Sequence, residues 1–289
     1  MPEGHTIHRL ARQFNDVFAG QRLEAASPQG RFAAGAKRIT GQELLQAEAR
    51  GKQLFLHFDH QLTLRVHLGL YGAWDFGGDE NFRGASSIGA PRRIGERELG
   101  AEAGEYSGPP APVGAVRLRL VSQHGWADLR GPSVCELITE SEFATQLAKL
   151  GPDPLAIEPE SEAVFRETVM AKGTPIATLL MDQSVLAGVG NVYRAELLFR
   201  ARLNPWLPGT KLSTGELTTL WADAVVLLER GVRDGRIITT EPEDRQRNET
   251  LHYVYKRNGL PCLKCGTVVE LSEIAGRKLY YCPNCQRAN

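Results

Sequence analysis

Four of the five cysteines fall in one short stretch, as Cys262-Leu-Lys-Cys265, sixteen intervening residues, then Cys282-Pro-Asn-Cys285. Tetrahedral thiolate coordination needs two ligands from each end of a short loop, and this spacing supplies them. Each pair reads as a knuckle, the residues between as a hairpin, and the ligand as one structural Zn²⁺ held by Cys262, Cys265, Cys282 and Cys285. Two disulfides are the competing reading, but cysteines crowded this way make a local site rather than a framework spread over a secreted fold. Metal binding is expected to fold residues 262–285 and by itself says nothing of catalysis.

The remaining chain is long enough for two more domains with cores: 289 residues, 42% hydrophobic and 24% charged. No apolar run reaches membrane-spanning length, and the chain does not open on a charged-then-apolar signal. A soluble cytoplasmic protein is expected, at the nucleoid if bacterial, with no membrane partner. Formal net charge is zero. Charge distribution says more: from position 247 onward seven Lys and Arg face three Asp and Glu, which is +4 over 43 residues.

Ile7, Leu10, Ala11, Phe14, Val17 and Phe18 recur at helical spacing, with Pro2 and Glu3 suited to the first turn of that helix. Residues 52–58 and 62–68 are strand-like and separated by Asp59-His60-Gln61, a hairpin by spacing. Residues 115–121 and 126–129 form a second alternating pair. Short strands with one amphipathic helix predict a β-sandwich closed by that helix. Nine glycines and four prolines in residues 77–114 predict a mobile surface insertion without a core of its own.

Leu150-Gly-Pro-Asp-Pro-Leu155 ends this half, since neither strand nor helix continues through it. Helices are then expected over 162–172, from Thr174-Pro175, over 191–200, and after a capping box at Ser213-Thr-Gly-Glu216. Residues 235–248 read as a polar loop. The expected architecture is α+β and multidomain: a β-sandwich domain over 1–149, a helical domain over 150–246 and a zinc finger over 247–289.

Removal of Met1 would make Pro2 a secondary amine, which condenses with an aldehyde carbon of an opened sugar to give an obligately cationic iminium. An α-amino group titrates near ~7.7–8.0, and the positive end of the following helix biases it further towards the free amine. Glu3 beside it is a candidate proton donor. Taken alone, the same residues read first as an ordinary helix start. Ala187-Gly-Val-Gly-Asn191 would present Asn191 and backbone N–H groups at a helix N-terminus, a phosphate-binding geometry, or else serve as a tight interhelical turn. Lys52, after Arg50-Gly51 at the mouth of the first hairpin, reads by itself as a solvated strand start. Leu70 and Tyr71, between Gly69 and Gly72, are either a packed turn or a wedge for a base stack.

Taken in order, Met1-Pro2-Glu3-Gly4, Arg50-Gly-Lys52, Leu150-Gly-Pro-Asp-Pro-Leu155, Met181-Asp-Gln-Ser-Val-Leu-Ala-Gly-Val-Gly-Asn-Val-Tyr193 and the C-terminal Arg277 with Cys-Pro-Asn-Cys-Gln286 resemble the formamidopyrimidine-DNA glycosylase and endonuclease VIII family over nearly the whole chain. The resemblance implies a β-sandwich, a helix-two-turn-helix domain and a zinc finger clasping bent duplex DNA. It implies base-excision repair by a bifunctional glycosylase and AP lyase. Pro2 would be the nucleophile, Glu3 the proton donor, Lys52 a DNA-contacting lysine that assists elimination, Asn191 a phosphate ligand and Arg277 the finger-tip arginine at the target phosphates. A monomer acting on damaged double-stranded DNA is expected. His67-Leu-Gly-Leu-Tyr-Gly72 is similar to the stack-filling loop of the endonuclease VIII branch, which favours oxidised pyrimidines, and Asp128-Leu-Arg-Gly131 lacks the Arg-Phe wedge of the 8-oxoguanine branch. Gly69 departs from the expected glutamine, and the 77–114 stretch is longer than usual. A DNA-binding relative without turnover, or an 8-oxoguanine-preferring enzyme, are the alternatives.

Overall fold

A computed structural model describes residues 2–80, 82–90, 108–245 and 250–287. The chain divides into two compact units, residues 1–147 and 148–289.

In the first unit the order is α1 (Gly4–Phe18), β1 (Gln21–Ala26), α2 (Ala33–Ile39), β2 (Gln42–Arg50), β3 (Gln53–Phe58), β4 (Leu62–His67), β5 (Ala73–Gly78), β6 (Ser87–Gly89), β7 (Val116–Val121), β8 (Gly125–Arg130), β9 (Val134–Ile138) and α3 (Glu140–Leu147). The strands are antiparallel neighbours in the order β6-β5-β8-β7-β1-β2-β3-β4-β9. β1 joins the two halves of the sandwich: Gln21 to Leu23 pair with β2, and Glu24 to Ala26 pair with β7. One apolar cluster unites Leu54, Leu56 and Leu64 from one half with Trp74, Phe76, Leu118 and Leu120 from the other.

α1 supplies the helical stripe that the spacing predicts: Ile7, Leu10, Phe14 and Phe18 are buried in this cluster, and Phe14 meets Trp74 edge-on at 4.9 Å. Two amides of α1 fix its position against the strands. Asn15 donates to the Ala47 carbonyl and accepts from the Ala47 N–H at 2.8 and 2.7 Å. Gln13 does the same with Ala85 at 2.9 and 2.8 Å. β3 buries a ring on its outer face too, where Phe55, turned away from the main core, packs on Phe143 of α3 at 4.8 Å between centroids.

The expectation of a coreless insertion over 77–114 is corrected for residues 77–90. β5 runs through Gly78, β6 pairs with β5, and Ile88 is buried in the core with Phe82 and Ala85 packed on it. The glycines there serve close approach: a Cβ on Gly77 would lie 2.8 Å from the Trp126 ring and one on Gly78 2.3 Å from the His124 carbonyl. Residues 91–107 lie outside the described residues. Where the chain returns, Arg119 donates to the Pro110 carbonyl at 2.7 Å while gripping Asp128 with two nitrogens at 2.7 and 2.6 Å. That bidentate pair is buried, a polar feature of the sheet that strand alternation alone does not announce.

The second unit contains α4 (Ser161–Met170), α5 (Ile176–Leu179), α6 (Asn191–Arg200), α7 (Thr214–Asp234), β10 (Glu270–Ile274) and β11 (Arg277–Tyr281). Pro175 stands at the N-cap rather than the first position of α5. The capping box forms as expected: Ser213 accepts from the Glu216 N–H while Glu216 reaches back to the Ser213 N–H. Gly235 at φ +71° closes the helix in the left-handed region. Leu279 of β11 enters the helical core, and Ala195 and Phe199 of α6 pack with Cys262 and Cys282, so the finger draws its apolar support from α6. The polar loop expected over 235–248 is corrected in part, since Thr239 and Thr240 are fully buried and hydrogen-bond to the Leu251 and Thr250 carbonyls. Residues 246–249 lie outside the described residues. Among the described residues no helix is long and apolar enough to cross a membrane.

Candidate active-site residues

Pro2 and Glu3 stand just outside α1 rather than in its first turn. Glu3 is the N-cap, with extended backbone (φ −123°, ψ −177°), and its carbonyl accepts the first bond from the Thr6 N–H at 2.9 Å. The extended residue turns the chain away from the helix and leaves Pro2 ahead of the orphan N–H groups of the first turn, where the dipole disfavours an ammonium. Glu3 is fully buried. His5, in the first turn, is buried too, its Nε2 3.2 Å from the Thr6 hydroxyl; burial first, and the neighbouring Arg9 second, pull its pKa down to about 3. His5 is therefore neutral near pH 7.

Lys52 does not begin a strand. It occupies, with Gly51 at φ +57°, the two-residue turn of the β2–β3 hairpin closed by the Arg50–Gln53 pair. Its positive charge opposes protonation of His67, whose pKa is lowered by burial first and then by Lys52 and Arg65. Lys52 and the turn after β4 therefore share one edge of the sandwich.

That turn runs from Leu68 to Gly72, closed by the Gly72 N–H on the Leu68 carbonyl at 3.0 Å. Leu68 is in the core, whereas Leu70 is 51% and Tyr71 75% exposed, although both are large and apolar in body. Gly72 is required and Gly69 is favoured. Gly69 has φ +66° and a Cβ there would come within 3.1 Å of Ser133; a Cβ on Gly72 would sit 2.3 Å from the Leu68 carbonyl. A glutamine at position 69 would meet both obstacles.

In the second unit Asn191 opens α6 behind Gly190. Its Nδ2 donates to the Lys278 carbonyl at 3.0 Å, and its Oδ1 accepts from the buried Arg194 guanidinium, which also donates to the Lys278 carbonyl at 2.8 Å. Asn191 and β11 are thus tied together, and one amide hydrogen of Asn191 remains beyond the bond to Lys278. The turn that places it is braced by Gln183, which accepts from the Gly188 N–H at 3.1 Å and donates to the Val189 carbonyl at 3.0 Å.

Arg277 begins β11 directly after Ala275 (φ +49°) and Gly276 (φ +69°), the two turn residues of the β10–β11 hairpin. It is exposed at the hairpin tip, and among the described residues no carboxylate pairs with it. The four cysteines converge as the spacing predicts, all Sγ atoms within 4.8 Å of one another. Cys262 and Cys285 are 3.9 Å apart and Cys265 and Cys282 3.5 Å, too long for S–S bonds. A tetrahedral site with Zn–S near 2.3 Å has edges of roughly 3.8 Å, so the donor set fits one zinc ion. Gln286, buried, accepts from the Cys282 N–H at 2.9 Å and donates to the Leu203 carbonyl at 3.1 Å, anchoring the second knuckle to the chain after α6.

Glu196 escapes a sequence reading. Fully buried on α6, its carboxylate accepts from the N–H groups of Tyr253, Val254 and Tyr255 at 2.7, 2.8 and 2.7 Å and from the Thr239 hydroxyl. A glutamate inside an otherwise apolar helix face is the only signal the sequence offers for it.

Family models match the chain along its length: the formamidopyrimidine-DNA glycosylase N-terminal domain over residues 1–124, the formamidopyrimidine-DNA glycosylase H2TH domain over 150–242, and the zinc finger found in FPG and IleRS over 259–288. The chain is 40% identical over 301 aligned positions to Endonuclease 8 1 of Mycobacterium tuberculosis, covering 99% of this chain and 100% of that protein. Against the formamidopyrimidine-DNA glycosylase of Thermus thermophilus the identity is 29%, with 99% and 98% covered. Among solved structures, the MutM (Fpg) protein of Thermus thermophilus superposes with a TM-score of 0.74 at 26% identity, covering 99% of this chain and 98% of that one. The Lactococcus lactis Fpg bound to DNA with an abasic site shares the fold at a TM-score of 0.74 and 20% identity, covering 99% and 100%.

Proposed function

The chain belongs to the formamidopyrimidine-DNA glycosylase family, and from that premise we propose that it is a DNA glycosylase and AP lyase of base-excision repair that works as a monomer on damaged duplex DNA and favours oxidised pyrimidines. The Pro2 nitrogen, freed by loss of Met1, attacks C1′ of the target nucleotide. The C1′–N bond to the damaged base breaks, the base leaves with a proton, and the sugar ring opens to an iminium on Pro2. Glu3 carries the proton that opens the ring. The cationic iminium acidifies C2′–H, so loss of that proton expels the 3′ phosphate; a second elimination expels the 5′ phosphate and leaves a one-nucleotide gap. Lys52 sits at the DNA backbone and assists the eliminations.

Arg277 holds the extruded nucleotide's phosphates with its fork of N–H donors, and the remaining Asn191 amide hydrogen meets a neighbouring phosphate. Leu70 and Tyr71 fill the space the base has left, recovering part of the few kcal/mol that unstacking costs. Zinc supplies no step; when bound it holds the hairpin that carries Arg277.

The observation that carries this reading is the placement of Pro2 directly before a helix N-terminus, with Glu3 adjacent and buried, in a chain of this family. The test is single-turnover excision from matched duplexes containing an oxidised pyrimidine, 8-oxoguanine or an abasic site. Gapped product, formed faster from the oxidised pyrimidine than from 8-oxoguanine, is expected. The opposite order would assign the other lesion class, and binding without cleavage of any duplex would leave a DNA-binding protein only.

A further inference from the structure

The exposed turn carrying Leu70 and Tyr71 is fastened by the next connection in the sheet, between β8 and β9. The Ser133 N–H donates to the His67 carbonyl at 2.9 Å, and the Ser133 hydroxyl lies 3.0 Å from that same oxygen. The hydroxyl is also 2.8 Å from His67 Nδ1, which accepts from the Gly69 N–H at 3.1 Å. Ser133 is also the side chain that a Cβ at Gly69 would strike.

The Gly69 bond decides the proton on Nδ1. If Nδ1 carried the hydrogen, it would point its N–H at the Gly69 N–H and lose that bond. With Nδ1 unprotonated it accepts from Gly69 at 3.1 Å, and the single hydrogen of the serine hydroxyl is shared between Nδ1 at 2.8 Å and the His67 carbonyl at 3.0 Å. The serine hydroxyl thus sets the ring orientation that meets the Gly69 amide. On the far side of the turn, a Cβ at Gly131 would approach the Tyr71 carbonyl at 3.3 Å, and the Ala90 N–H donates to the Gly72 carbonyl at 2.9 Å. The turn therefore has neighbours against both ends while its two apolar side chains stand in solvent.

Resting on the function proposed above, we infer that Ser133 is a positioning residue: acting through the His67 imidazole on the Gly69 amide, it holds Leu70 and Tyr71 in the inserted geometry before DNA arrives. A wedge ordered in advance does not lose its conformational freedom at the moment of insertion, so the rate of base extrusion carries the benefit. An abasic nucleotide has no base to unstack and gains less from it.

Two measurements on the full-length protein test this. In the free protein, amide hydrogen exchange at residues 69–72 of Ser133→Ala should quicken about fivefold or more, the scale of one hydrogen bond's net contribution, while Ser133→Thr, which keeps the hydroxyl, stays within twofold of wild type. In single-turnover kinetics Ser133→Ala should slow base excision by a similar factor relative to borohydride trapping on abasic DNA, and 2-aminopurine opposite the lesion should report insertion slowed in step. Unchanged exchange at 69–72 overturns the inference whatever the enzyme does. So does an equal loss on lesion and abasic substrates, or a threonine variant as impaired as alanine. A wild-type protein inactive on every substrate would instead overturn the function proposed above, while the exchange experiment would still decide the role of Ser133.

Discussion

The two units hold their candidate site residues by different physics. In the first, Pro2, Glu3, Lys52 and the Leu70–Tyr71 turn hang on a helix and hairpins set mainly by apolar burial and strand pairing, with the Asn15, Gln13 and Ser133 hydrogen bonds as local fasteners. In the second, Asn191 and Arg277 depend on polar and metal-binding groups: the Glu196 carboxylate, the Arg194 guanidinium and four thiolates. Apolar packing is spread over many side chains and yields gradually to change. A buried polar group fails when one partner goes, because the other is left unsatisfied in a low dielectric. The second unit should be the brittle half, and the first the tolerant one.

Loss of the metal should produce the largest contrast. Structural zinc contributes on the order of 10 kcal/mol to the folding of small cysteine sites, so Cys282→Ala should release the metal and cost DNA affinity at least about a hundredfold. Circular dichroism and amide exchange over residues 2–80 should stay as in wild type. Metal analysis should give one zinc per wild-type chain; a metal-free wild type that binds DNA normally would remove the finger from the account.

Glu196→Gln comes next. Glutamine keeps one acceptor oxygen but turns an NH₂ towards N–H donors now satisfied by carboxylate, at a cost of roughly 3 kcal/mol. Chemical denaturation should show the second unit melting earlier, with new tryptic cleavage after Lys256 or Arg257. Equal destabilisation of both units would blur the comparison.

Arg277→Ala touches no core and should leave stability within about 0.5 kcal/mol of wild type. Its effect belongs to DNA: affinity about tenfold weaker, with the slope of log K against log salt reduced by about one. Unchanged binding and salt dependence would take Arg277 out of the site.

The smallest effect at neutral pH concerns His5 in the first unit. Burial chiefly, then Arg9, lowers its folded pKa to about 3, so the folded protein binds this proton less readily than the unfolded chain. The stability associated with neutral His5 is present above about pH 6.5 and is lost as pH falls towards 3. His5→Gln should flatten that part of the first unit's stability profile and change little at pH 7.5. A variant with the same acid limb as wild type would assign that limb to other groups.

What the sequence revealed follows the same division. Periodic apolar residues announced α1, and the cysteine spacing and the Ser213–Glu216 capping box announced structures that form as read. These signals are local, with partners a few residues apart or of one rare type. Missed features depend on distant partners. Gly51 is the one turn signal beside Lys52, and it does not reveal the hairpin because β2 lacks clean alternation and carries a bulge between Leu44 and Gln46. The glycines at 77 and 78 suggested a loose insertion because the Trp126 ring and His124 carbonyl that require them lie on β8 and in the turn before it. Glu196 and Ser133 reach across 57 and 66 positions to Tyr253 and His67, and neither belongs to a motif.

Covalent trapping tests the central claim that the Pro2 nitrogen is the nucleophile. Borohydride reduces an iminium to a permanent bond, and with Met1 retained the Pro2 nitrogen is a planar tertiary amide without a usable lone pair. Protein beginning at Pro2, verified by mass spectrometry, should cross-link to an abasic duplex, with the adduct mapping to the first peptide. The same protein with Met1 retained should give no adduct at that peptide and no strand cleavage. If the Met1-retaining form cross-links and cleaves as fast as the processed one, another amine, with Lys52 the first candidate, performs the chemistry and the assignment of Pro2 is wrong.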